Sequence, residues 1–182
     1  MTSDVATTRM APARSAVGPI VEEAFDAHAA RLKAFALAAV RDEDAADDLV
    51  QETFLRFVRQ VRQGDVPDNV GGWLHRVCAN LIVSRGRRQT VAVRRNASLV
   101  DPTMGVSPED QAIRSDESAR LRNGLAELPP DARVALLMAA AGFSSVEIGE
   151  AIGRTANATS TYICRARIRL REVLSGSGEA PR

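Results

Sequence analysis

Apolar residues in this chain recur at the spacing of a helix face and rarely alternate with polar ones as a strand would require. At about 3.6 residues per turn, Ala46, Val50, Phe57 and Val61 fall beside Phe54, whereas Asp48, Glu52 and Arg59 fall opposite. A second stripe runs through Trp73, Leu74, Val77, Cys78 and Leu81, with His75, Arg76 and Asn80 on its other side. Trp73 belongs to the apolar stripe and reads as a core anchor. Aromatics make up only 4% of the chain, so the core must be built from Ala, Leu, Val and Ile. These features define an all-α protein.

Gly and Pro punctuate the pattern. Helical periodicity runs from about Ile20 to Val40, and "RDEDAADD" supplies acids where a second helix starts. That helix continues to about Gln63, and "GDVPDNVGG" is a loop. A third helix begins near Trp73 and is expected to close near Gly86. Residues 1–19 read as a disordered tail, 20–90 as one helical domain and 91–111 as a flexible linker. A second helical domain spans 112–175 and a disordered tail 176–182. In the second domain "SSVE" at 144–147 has the form of a capping box. Val146, Ile148 and Ile152 are expected to pack inward, and Gly153 to take a left-handed turn. A short helix, a glycine turn and a longer helix make a helix-turn-helix.

The net charge of +1 conceals a polarity. Residues 22–55 carry three cations against nine acids, a net −6, and residues 56–95 carry nine arginines against two acids, a net +7. Two surfaces of opposite sign fit two kinds of partner, and the basic one is a nucleic-acid candidate. Cys78 and Cys164 both lie in apolar-periodic segments without a C-x-x-C and read as buried, reduced thiols of a cytoplasmic protein. No run reaches the roughly 18 apolar residues of a membrane span. His28 and His75 are isolated, without metal-ligand spacing or a nucleophile partner, which argues against an enzyme and against a cofactor.

One residue resists the helix pattern. Leu55 stands on the solvated, acidic face of its helix, with Gln51 at the edge of that face. Scattered surface leucines are normal, so this position alone decides nothing.

Four segments together are more specific: "DAADDLVQETFLRF", "GGWLHRVCANL", "LAELPPDARVALLMAAAGFSSVEIGEAIG" and "RARIRLREVL". In that order and spacing, over about residues 22–175, they resemble the extracytoplasmic-function (ECF) sigma factors, a compact class within the sigma-70 family. The resemblance implies a protein that binds core RNA polymerase and directs it to promoter DNA, with an anti-sigma factor as a further possible partner. It makes 20–90 sigma domain 2 and 112–175 sigma domain 4. It assigns Asp48, Leu49, Gln51, Glu52 and Leu55 to polymerase docking. Asp47 falls towards the buried side of the helix and reads as a helix-terminus residue. The resemblance also places Asn80 beside a flipped base of the −10 element, with Arg76, Arg85, Arg87 and Arg88 on phosphates. For the −35 element it implies Arg154, Thr155, Asn157, Ser160 and Thr161, with Arg165 and Arg167 near phosphates or polymerase. The chain departs from the family where "NATSTY" stands at 157–162: Ser160 and Tyr162 replace a lysine and an arginine. Fewer cations on that face predict weaker non-specific DNA binding. Two rival readings are a stand-alone helix-turn-helix regulator, which leaves the acidic helix unexplained, and a sigma mimic that titrates an anti-sigma protein.

Overall fold

The computed structural model describes residues 17–95 and 116–176, all in helices or the short turns between them. The first part holds α1 (Val17–Val40), α2 (Glu43–Arg62) and α3 (Val70–Arg95). The second holds α4 (Asp116–Ala126), α5 (Pro130–Ala140), α6 (Ser145–Ile152) and α7 (Ala156–Gly176). No strand occurs among the described residues. The expected tail before residue 17, linker residues 96–111 and the tail after 176 lie outside them.

Helix α1 ends where Arg41 takes φ 62, a left-handed conformation unusual for a side-chain-bearing residue. Its N–H still donates to the Leu37 carbonyl at 2.8 Å. Asp42 then caps α2, its side chain accepting from Ala45 N at 2.7 Å. The two helices fold back on each other around Leu32, Phe35, Ala36, Phe54, Phe57 and Val61, all buried. Before α3, Asn69 accepts from the Gly72 N–H at 2.8 Å. A Cβ at Gly72 would come within 2.7 Å of that same side chain, so the second glycine of the pair leaves room for the cap. Trp73 is half-buried against the core, 5.7 Å from the Phe57 ring, as its stripe predicts.

Four expectations are corrected. Helix α3 does not close at Gly86 but continues to Arg95, because one internal glycine costs only about 1 kcal/mol against its helix-forming neighbours. Val146 points outward at 56% exposure. Cys164 is exposed, whereas Cys78 is buried as expected. Asp47 is exposed and pairs with Lys33, which also reaches Glu43. For Val146, Cys164 and Asp47 the helix is the one the sequence implies, and its rotation against its neighbours decides which side is covered.

The two parts also touch, which the linker gave no reason to expect. Helix α3 packs against α5 and α6, and α1 reaches α5. Arg133 of α5 is buried at this seam, and its Nη1 donates to the Ala39 carbonyl at 2.5 Å.

Candidate functional site

Helix α2 presents one face that no other described helix covers. Asp48, Gln51 and Leu55 are exposed there, Leu55 to 46%. Beside them runs a shallow apolar groove lined by Phe25, Val50, Phe54, Leu55 and Val58, with Asp47 and Gln51 at its edges. Phe25 comes from α1, is 51% exposed and sets its ring 5.0 Å from that of Phe54. Glu52 accepts from Arg56 Nε at 2.8 Å, and this hydrogen bond holds its carboxyl below the usual range. Leu49 does not belong to the surface: it is turned into the core, at 5% exposure. Phe25 is the residue that sequence reasoning missed. Its signal was an aromatic set among acids in "EEAFDAH", a place where a core residue is not expected.

Helix α3 carries the basic surface. Asn80, Arg85, Arg87 and Arg88 are exposed along it. Arg76 and Arg87 lie three turns apart on one side of the helix, with Asn80 adjoining. Both arginines are engaged with α6: Arg87 Nη2 donates to the Ile152 carbonyl at 2.6 Å, and Arg76 stands 3.6 Å from Glu150. Arg85 and Arg88 lie on other sides of the helix, so these five residues do not form one cluster.

The helix-turn-helix is built as the sequence implies. Ser144 accepts from Glu147 N at 3.3 Å while the Glu147 carboxylate accepts from Ser144 N at 2.9 Å and from Ser144 Oγ at 2.8 Å. These bonds hold the Glu147 carboxyl below its usual range. Gly153 takes φ 69 and ends α6. Gly149 lets α6 meet the turn, since a Cβ there would stand 2.5 Å from the Arg154 carbonyl oxygen. Thr159 is fully buried and its Oγ1 donates to the Thr155 carbonyl at 2.8 Å, fixing the first turn of α7. Thr155 also accepts from Ala158 N at 3.4 Å.

Of the residues expected on DNA, Arg154, Thr155, Asn157, Ser160, Thr161, Arg165 and Arg167 are all exposed. Asn157, Thr161 and Arg165 follow one another at four-residue steps on one face. Ser160 is drawn to Ser145, its Oγ donating at 2.9 Å. Arg154 turns back over the Tyr162 ring, 4.1 Å from its centroid, a cation–π contact. Tyr162 therefore packs on its own domain and holds an arginine in place, which explains how an aromatic residue can stand where the family has a cation. Among the described residues no group of His, Cys, Asp and Glu could hold a metal ion, and no helix is long and apolar enough to cross a membrane.

A helix-turn-helix thus stands beside a second helical unit that carries a basic helix and, among the described residues, an exposed apolar groove. Residues 24–91 match the Sigma-70 region 2 family and residues 118–170 match Sigma-70, region 4. The chain belongs to the ECF sigma factors of the sigma-70 family. It is 32% identical over 148 residues to the ECF RNA polymerase sigma factor EcfG of Rhodopseudomonas palustris, covering 81% of each chain. It is 31% identical to the RNA polymerase sigma factor CarQ of Myxococcus xanthus, over 84% of this chain and 88% of that one. With the ECF RNA polymerase sigma factor SigE of Mycolicibacterium smegmatis it shares 33% over 162 residues, 86% of this chain but only 62% of that one. In fold it is similar to the sigma factor RpoE of Bartonella quintana, solved in complex with the anti-sigma factor NepR. That match has a TM-score of 0.63 and 23% identity, and covers 88% of this chain and 98% of that one.

Proposed function

We propose that this chain is a promoter-specificity factor that docks on core RNA polymerase through α2 and directs it to promoter DNA through α3 and α7. The observation that carries the docking assignment is the groove around Leu55 and Phe25: two large apolar side chains exposed beside Asp47 and Gln51, left open by the described residues. A partner helix bearing arginines would bury the apolar pair and meet the acids. Burying a leucine fully stabilises by roughly 1.5–3 kcal/mol, so Leu55 at half exposure offers a useful fraction of that.

In this reading residues 20–90 form the polymerase and −10 unit and residues 112–175 the −35 unit. Asn80 offers an amide to a base edge, with Arg76, Arg85, Arg87 and Arg88 for the surrounding phosphates. Asn157, Ser160, Thr161 and Arg165 face a major groove, with Arg154 and Thr155 at its entrance and Arg167 towards the backbone. The factor works in the cytoplasm and performs no chemistry of its own: the polymerase makes the bonds. An anti-sigma protein is a third partner class.

Run-off transcription with purified core polymerase on a genomic promoter library tests this directly. Discrete new transcripts that share upstream motifs are the expected result. Failure both to bind core polymerase and to produce transcripts would overturn the reading.

A further inference from the structure

The leading end of α7 is short of charge. From Ala156 to Cys164 every side chain is neutral, and between Gly153 and Cys164 the one cation is Arg154, in the turn. Contacts to the phosphate backbone supply much of the affinity of a reading helix and fix its register. The two positions where the family has cations are spent within the protein. Ser160 donates its hydroxyl to Ser145 of α6 at 2.9 Å. Tyr162 is half-buried and packs against the core.

Arg154 is held at both ends. Its backbone N–H donates to the Gly149 carbonyl at 2.8 Å. Its own carbonyl lies so near Gly149 that a Cβ there would stand 2.5 Å from the oxygen. At the far end, the guanidinium carbon lies over the Tyr162 ring, 4.1 Å from its centroid. The negative face of a ring attracts a cation without neutralising it. Among the described residues no acid pairs with Arg154, and the residue is exposed. Its charge thus stays available, and its forked N–H donors match the oxygens of a phosphate. Ordering a long side chain is a cost of binding, and a guanidinium already seated on a ring has met part of it before DNA arrives.

We propose that Tyr162 is a positioning residue for promoter DNA: its ring holds Arg154 at the turn of the helix-turn-helix, ready for a phosphate beside the −35 element. The cation absent from position 162 is in this way supplied from position 154. The inference rests on the reading of α7 as the −35 helix. It divides the labour on that face, with Asn157, Thr161 and Arg165 left to the bases and Arg154 to the backbone. A phosphate carries no sequence information, so the pair raises affinity for every −35 sequence alike.

A double-mutant cycle tests it, on holoenzyme made with the full chain and a promoter fragment recovered by run-off transcription. Tyr162→Leu should weaken promoter binding about two- to five-fold, the worth of an exposed cation–π contact. Arg154→Ala should weaken it at least as much and flatten the salt dependence by about 0.9 in log affinity against log salt, the share of one phosphate. With Arg154→Ala already in place, Tyr162→Leu should add no further loss. Tyr162→Phe keeps the ring and should bind as the unsubstituted chain does. Additive losses, an unchanged salt slope for Arg154→Ala, or a phenylalanine variant as weak as the leucine one would each overturn the proposal. Unsubstituted holoenzyme that binds no promoter instead overturns the sigma-factor reading, and this role with it. Should Tyr162→Leu fail to fold, fluorotyrosine at this position, the only tyrosine of the chain, reads the contact in the folded protein. Its fluorine resonance should shift on Arg154→Ala, and an unmoved resonance overturns the hold of the ring on Arg154.

Discussion

Cys78 and Cys164 carry the same thiol into opposite surroundings. Burial pushes the Cys78 thiol up to about 12, against a weaker opposing hydrogen bond from Thr53, whereas Cys164 faces solvent on α7. A thiol-specific reagent should therefore label one cysteine per native chain, at Cys164, and two after denaturation, as counted by intact mass. A thiol raised in the fold contributes stability that is present below its unfolded value and lost as pH rises through its folded value. Native labelling should thus still stop at one site at mildly alkaline pH, while stability declines. Asn80 poses a different test at the same scale. It is exposed on α3 and takes no part in the core, so Asn80→Ala should leave the melting temperature and the affinity for core polymerase unchanged. Promoter opening should fall, as followed by permanganate reactivity of melted thymines. Equal losses in polymerase binding and in opening would remove Asn80 from the base-reading role.

Helices α2 and α6 place different demands on their residues. On α2 Asp48 and Gln51 are solvent-exposed, so Asp48→Arg with Gln51→Ala should abolish capture by core polymerase while the circular-dichroism spectrum stays native. Retained affinity in a pull-down would reassign the docking face. On α6 the demand is steric. A methyl group at Gly149 would meet the Arg154 carbonyl oxygen at 2.5 Å and Thr159 Oγ1 at 2.9 Å. Backbone cannot yield as a side-chain tip can, so Gly149→Ala should destabilise the fold by about 1–3 kcal/mol, the usual cost of overpacking. A thermal melt reads that cost, and duplex −35 binding should weaken with it because α7 is set by this contact. The capping box works alongside: both hydrogen-bonding groups of Ser144 reach the Glu147 carboxylate, so this support is present above the ordinary carboxylate range and lost as pH falls through the lowered value.

At the scale of the whole molecule, Arg133 joins the two units from a buried position. It ties the last turn of α1 to the α4–α5 connection through three carbonyls. Arg133→Ala leaves those carbonyls without their donor, and each unsatisfied buried group costs about 1–3 kcal/mol. The expected outcome is a lower melting temperature together with a loosened seam, seen as a larger radius of gyration in small-angle scattering. A variant as compact as the parent would show that the other seam contacts suffice. Burial first, and then the like charge of Arg41, disfavour the charged form of this guanidinium.

Sequence by itself determined the elements and their chemistry. Helix periodicity, the Ser144–Glu147 capping box and the left-handed Gly153 are local: each depends on residues within a few positions, so spacing alone reveals it. The same local logic exposed Leu55 as a misfit on a polar face. Only the tertiary structure decided which side of each helix is covered. Leu49 and Leu55 sit on one helix with the same side chain, yet one is core and the other surface, because they lie on different sides of α2 and its neighbours do not cover both. Phe25 joins Leu55 across two helices, and Arg87 reaches Ile152 across sixty-five positions of chain. Such contacts depend on how helices pack in space, a choice made by summed burial over the whole core rather than by any short run of residues.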